Sequence, residues 1–220
     1  IMRYLFYIIL GYLSGSILYA YLIPYSFCSI DICDVSDDGN PGTANAFKYA
    51  GFTAGCSVIL LELLKAFLPV FLAMKRVDPS ALPFALVMAA PVLGHAFPFF
   101  YLIRFLMKGK DFVLPLKAHK GGKAIAASFG VMLALFPMLT PLLALAFFYI
   151  FFSTVIVIRP HLYRSILTFC CFALTVFLEV PLLSIRLGAL LISMISIGKH
   201  LAARQEEKLS VSLLGIFPSK

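Results

Sequence analysis

The chain has 220 residues, 62% of them hydrophobic and only 13% charged, with 18 Lys+Arg against 10 Asp+Glu and a formal charge of +8. Its mean hydropathy is +1.00. Soluble domains are about half apolar and about a quarter charged, and a globule of this size cannot hide so much apolar surface. A soluble enzyme, a disordered tail and a collagen-like rod are therefore excluded, leaving an integral membrane protein whose function sits in its few polar residues.

The first apolar run, 4–27, exceeds the roughly 7–15 residues of a signal-peptide core and precedes no small-residue cleavage site. It is predicted to remain as a spanning helix. A polar loop follows, Ser36-Asp-Asp-Gly-Asn-Pro-Gly-Thr-Ala-Asn-Ala-Phe-Lys48. Gly39 and Gly42 allow close backbone approach to a ligand. Successive N–H groups in such turns make anion nests, which Lys48 would close as a point charge. The alternative is an ordinary asparagine/glycine turn between helices.

The second run, 52–74, carries Glu62 and Lys65 at i, i+3, on one helix face. Charges at that depth face a bundle interior, either as a structural ion pair or as part of a site. The third run, 81–107, contains Gly94-His95 before Ala-Phe-Pro98. His95 is either a satisfied core histidine or a site residue. Next comes Lys117-Ala-His-Lys-Gly-Gly-Lys123, which leads into the fourth run. Gly121-Gly122 at a helix start would expose N–H donors and the positive end of the helix dipole, flanked by Lys120 and Lys123. It reads as a phosphate cradle without Walker A spacing, or as a positive-inside loop with a hinge.

The runs 124–158 and 162–198 are each about 35 residues, or roughly 50 Å at about 1.5 Å per residue. One crossing needs about 20 residues. Pro137-Met-Leu-Thr-Pro141 and Pro181 are natural breaks, so five runs are predicted to make seven crossings. With seven, the segments 28–51, 108–123, 159–161 and 199–220 share one side, and most Lys and Arg fall there. Arg3, Lys75, Arg76 and Arg186 stay on the other. The bias predicts an all-α bundle, N-terminus outside and C-terminus cytoplasmic. It forms one domain over 1–220. His200 opens the polar C-terminal segment.

The five cysteines make no CxxC pair, and Cys56, Cys170 and Cys171 lie in apolar runs. Neither a disulfide frame nor a zinc site is expected. No basic module suited to nucleic acid is present. No Ser-His-Asp order or pair of catalytic carboxylates competes with the phosphate reading.

Gly15-Ser16, Gly39-Asn-Pro-Gly-Thr-Ala-Asn45, Glu62-x-x-Lys65-Ala, Gly94-His95-Ala-Phe-Pro98 and Lys120-Gly-Gly-Lys-Ala-Ile-Ala126 together resemble the bacterial acyl-phosphate:glycerol-3-phosphate acyltransferases, the PlsY family. The match is strong over roughly 1–130. The resemblance implies a seven-helix inner-membrane enzyme with cytoplasmic motifs and no metal or other cofactor. It implies acyl transfer from acyl phosphate to the 1-hydroxyl of glycerol 3-phosphate, giving lysophosphatidic acid. Membrane lipids surround it, and the oligomeric state is left open.

The chain departs from the family pattern in places. Asp38 stands for a serine, Lys48 for an arginine, Glu62 for an aspartate and Ala66 for a glycine. A His-x-x-Asn pattern reads His200-Leu-Ala-Ala203, and Gly215 alone remains of a Gly-x-Glu. The catalytic candidates are His95, Lys123 and His200. The substrate-binding candidates are Asp38, Gly39, Asn40, Gly42, Thr43, Asn45, Lys48, Lys65, Lys120, Gly121 and Gly122. Two other readings stand beside this one. The first is a divergent paralogue that uses another acceptor, or an inactive lipid-phosphate binder. The second is a small transporter using Glu62, Lys65 and the histidines.

Overall fold

The computed structural model describes residues 1–106, 121–202 and 209–215. Lys120, Ala203 and the basic residues between 107 and 120 lie outside the described residues. In chain order the helices are α1 (Met2–Gly15), α2 (Tyr19–Cys28), α3 (Ile32–Val35), α4 (Thr43–Ala50), α5 (Phe52–Met74), α6 (Phe84–Ala96), α7 (Phe99–Leu106), α8 (Ile125–Ala134) and α9 (Thr140–Thr154). The strand β1 (Ile156–Arg159), α10 (His161–Glu179), α11 (Leu183–Leu201) and β2 (Ser210–Leu213) follow. The predicted breaks are present. One helix ends at Ala134 and the next begins at Thr140, and Val180–Leu182 separate α10 from α11.

Among the described residues, four stretches are long and apolar enough to cross a membrane: Met2–Cys28, Phe52–Met74, His161–Glu179 and Leu183–Leu201. Phe84–Ala96, Ile125–Ala134 and Thr140–Thr154 are shorter apolar helices. Large apolar side chains such as Leu60, Phe147, Leu174 and Phe177 are exposed on the outside. In water such a surface would drive aggregation; in lipid it is the solvated face.

The all-α expectation needs one correction. Strands β1 and β2 pair antiparallel, Ile156 opposite Leu213 and Arg159 opposite Ser210. Val155-Ile156-Val157-Ile158 is a β-branched run, stiff at χ1 and suited to extended backbone. The fourth apolar run therefore leaves helix at Thr154 rather than continuing to 158.

Helix α6 is the hub, packed against α1, α5, α8 and α11. Its Phe84, Val87, Met88 and Val92 join Val70 of α5, Val131 of α8, Phe169 and Phe172 of α10 and Ile192 of α11 in the buried core. Lipid tails are as apolar as these side chains, so burial alone gives little drive; close approach of small residues does. A Cβ on Gly94 would lie 2.1 Å from the Tyr12 carbonyl oxygen, one on Gly15 2.1 Å from that of Pro91, and one on Gly130 2.3 Å from that of Leu63. Helices α1 and α6, and α5 and α8, thus touch backbone to backbone. Gly94→Ala is expected to force α1 and α6 apart and destabilise by about 1–3 kcal/mol, read as a lower unfolding temperature in detergent.

The two ends of the bundle are tied separately. At one end the Tyr4 hydroxyl donates to the Asp78 carbonyl (2.9 Å), and the Ser184 hydroxyl donates to that of Pro79. The loop of residues 38–45, residues 121–123, and the ends of α6, α10 and α11 meet at the other.

Candidate functional site at one end of the bundle

The site has a buried part and a loop part. The buried part begins at the break between α1 and α2. Residues Ser16–Leu18 interrupt the helix, which leaves backbone groups without helical partners. In an apolar surround each such group costs several kcal/mol unless bonded. Two side chains of α5 meet this need. Glu62 Oε1 accepts from the Ala20 N–H (3.2 Å), and Lys65 Nζ donates to the Ile17 carbonyl. Glu62 and Lys65 pair at 2.7 Å, each side chain 1% exposed. His95 Nδ1 lies 3.0 Å from Glu62 Oε2 and 3.0 Å from Lys65 Nζ.

An Nδ1–H donating to the Glu62 carboxylate leaves the neutral His95 ring with its lone pair on Nε2. That nitrogen abuts Gly122, where an added Cβ would sit 2.2 Å away. Gly121, at φ +77°, lies so close to the carbonyls of His95 and Ala96 that a Cβ would come within 2.4 Å of each. A side chain at either position would push the 121–123 segment off α6. Gly122→Ala is accordingly expected to displace His95 and lower turnover more than thermal stability. Parallel kinetics and unfolding curves check this.

The free N–H donors expected at Gly121-Gly122 need correcting for Gly122, whose N–H donates to the His95 carbonyl (3.2 Å). Helix α8 itself begins only at Ile125. The pull of α6 on this strand of backbone outcompetes an open nest.

The loop part centres on Asp38 and Lys123. Lys123 Nζ lies 2.9 Å from Asp38 Oδ2 and 2.7 Å from His161 Nε2, with its side chain 7% exposed. Asp38 Oδ1 accepts from Asn45 Nδ2 (2.9 Å) and from the Asn40 N–H (3.3 Å). Asn45 Nδ2 also donates to the Asn40 carbonyl (2.8 Å). Burial opposes the charge on Asp38, but Lys123 and Asn45 outweigh it and hold the carboxyl below its usual value. A depressed carboxyl stabilises the folded form above about pH 4 and loses that contribution on further acidification. Acid titration is therefore expected to release the 38–45 loop from Lys123 only at the low end, followed by protease nicking within the loop.

The ring of His161 stands edge-on to that of His200, centroids 5.3 Å apart. His200 is fully buried, and its Nδ1 donates to the Ser196 carbonyl (2.7 Å). Its Nε2 is buried with no partner among the described residues.

The structure thus brings Asp38, Asn40, Asn45, Lys123 and His200 into one cluster, and His95 joins through Gly122. Gly39, at φ +59°, turns the loop. Gly42 precedes α4 in extended backbone, and Thr43 is that helix's first residue. Lys48 does not close the loop: its exposed Nζ pairs with Asp37 Oδ2 at 2.8 Å. Lys65 is 3% exposed and faces Glu62 and His95. His161 was not among the candidates. Its one sequence signal is a histidine directly after Arg159-Pro160, at the head of a helix that returns to the same end.

An apolar helix bundle with a lysine, loop amides and two adjacent imidazoles gathered at one end is a membrane protein equipped to hold an anion. Comparison with known sequences places it more closely. The sequence model of the family described as Glycerol-3-phosphate acyltransferase matches residues 5–206, and the chain belongs to that family. It is 33% identical over 193 residues to the glycerol-3-phosphate acyltransferase of Hydrogenobaculum sp. (strain Y04AAS1), covering 87% of each chain. A relative from Thermotoga petrophila is 39% identical over 128 residues, covering 58% of this chain and 56% of its own.

The fold matches the crystal structure of PlsY (YgiH), an integral membrane glycerol 3-phosphate acyltransferase, in its glycerol 3-phosphate form. The TM-score is 0.71 at 26% identity, over 90% of this chain and 88% of that one. The lysophosphatidic acid form of PlsY gives 0.69 at 26% identity, over 90% and 87%. The chain is accordingly a multi-pass membrane protein.

Proposed function

We propose that this chain transfers a fatty acyl group from acyl phosphate to the 1-hydroxyl of glycerol 3-phosphate, giving lysophosphatidic acid for phospholipid synthesis. The observation that carries the reading is Lys123, a nearly buried cation held beside the amides of the 38–45 loop and the rings of His161 and His200. Seven crossings put this end in the cytoplasm and the N-terminus outside, in a bacterial-type plasma membrane. The four long helices and three shorter ones support that count, and the end that gathers Lys123 is the one the charge bias assigns to the cytoplasm.

Acyl phosphate arrives activated, so the task is positioning and charge stabilisation. The acyl chain lies between apolar helices with its phosphate at the cytoplasmic end. Gly39, Asn40, Gly42, Thr43 and Asn45 line one phosphate, with Lys48, paired to Asp37, standing outside it. Lys123, which joins that loop through Asp38, lies between the two phosphates with Gly121 and Gly122 and stabilises the carbonyl oxygen as it gains charge. The acceptor hydroxyl attacks the acyl carbon, the C–O bond to phosphate breaks, and the hydroxyl proton ends on the released phosphate. His95 Nε2 or His200 Nε2 carries that proton in passing. Lys65 acts at one remove, fixing His95 through the Glu62 contact.

The test is acyl transfer by the purified chain with palmitoyl phosphate and labelled glycerol 3-phosphate, run beside acyl-CoA and acyl carrier protein donors. Product from acyl phosphate alone supports the proposal. Product from the other donors alone, or flux across sealed vesicles without any product, overturns it.

A further inference from the structure

Asp38 has no part in the acyl transfer itself, and its contacts suggest one in binding. Its two oxygens take the Lys123 ammonium, the Asn45 amide and the Asn40 N–H. These are the donor types that a phosphate oxygen would take. The donor count is tight. The Lys123 ammonium has three hydrogens, of which one faces Asp38 and one His161. Asn45 Nδ2 has two, directed at Asp38 and at the Asn40 carbonyl. Among the described residues, a phosphate entering beside Asp38 would find one uncommitted ammonium hydrogen and a carboxylate of like charge.

We infer that Asp38 sets the charge of the acceptor: its carboxylate sits in the phosphate seat of the free chain, so a phosphorylated acceptor binds by displacing it. This rests on the acyltransferase reading of the site. Two features make displacement feasible. The Asp38 side chain is 25% exposed, so it swings into water rather than into the core. The adjacent Gly39 at φ +59° gives the backbone a joint at which the loop can turn. Displacement has an electrostatic cost that grows with ligand charge, because the displaced carboxylate stays near the seat. The site consequently discriminates against a dianion relative to a monoanion of the same shape.

The experiment uses the full chain in detergent and calorimetric titration with three ligands: glycerol 3-phosphate, its phosphate methyl ester (a monoanion) and inorganic phosphate. Asp38→Asn is expected to bind glycerol 3-phosphate about tenfold tighter and the methyl ester only about threefold tighter, since repulsion scales with charge. Asp38→Ser serves as a second variant with the same charge change, and unfolding curves verify that both fold. Unchanged or weaker glycerol 3-phosphate binding in both folded variants overturns the inference. So does equal tightening for both glycerol ligands, which would show relief of bulk rather than of charge. If the wild type transfers no acyl group yet Asp38→Asn still binds inorganic phosphate more tightly, the seat assignment stands and the acyltransferase reading falls.

Discussion

Lys123→Ala is expected to lower acyl transfer by roughly 10² to 10³-fold, the usual loss when one preorganised donor to a developing oxyanion is removed. Lys123 does more than supply charge. Its Nζ joins Asp38 of the loop to His161 at the head of α10, so its removal also unpins two segments far apart in sequence. Both kcat and KM are therefore expected to worsen. Lys123→Arg should restore only part of the loss, because a planar guanidinium cannot point toward carboxylate, imidazole and substrate as an ammonium does. Single-turnover kinetics on detergent-purified variants, with size-exclusion profiles to verify folding, make the measurement. Near-normal turnover in Lys123→Ala would remove Lys123 from the chemistry.

The second large effect is structural. Glu62→Ala is expected to destabilise by about 3–5 kcal/mol, the cost of leaving a buried partner charge uncompensated. The loss falls on three groups together: Lys65, the His95 ring, and the Ala20 N–H at the start of α2. Lys65→Met should be comparably severe. The double variant Glu62→Ala/Lys65→Met should lose much less than the sum, because no unpaired charge remains of the pair. Reversible unfolding in mixed micelles measures all three. Additive losses would mean that the two side chains act independently of each other and of the helix break.

Much of this was legible in the sequence. The proline breaks at 137 and 181 are local chemistry, since a missing N–H and a steric clash act wherever the chain runs. The i, i+3 spacing of Glu62 and Lys65 announced a shared face, although not what lies opposite it. That partner is the interrupted helix at Ser16–Leu18, and no residue there spells out a break as a proline would.

The Asn/Gly loop and the Gly-Gly-Lys segment were visible separately. Their meeting joins Asp38 to Lys123 across 85 positions, a tertiary fact that spacing cannot reveal. His161 is not legible in the sequence, because Arg159-Pro160-His161 reads as a short connection, whereas in the fold α10 starts there. The β1–β2 ribbon is hidden for a related reason: its β-branched half continues an apolar run and reads as more helix until its partner strand is in view. Gly122 shows the opposite error. A glycine pair before a helix suggests open donors, yet the backbone of α6 lies close enough to take one.

The most direct test is a structure of the intact chain with glycerol 3-phosphate bound. The expected result places the ligand's phosphate within about 4 Å of Lys123 Nζ, ion-pair range, with the Asn45 amide turned onto it and the Asp38 carboxylate swung out to solvent. A phosphate bound beyond the reach of Lys123, or one bound with Asp38 still seated on Lys123 and Asn45, would contradict the account.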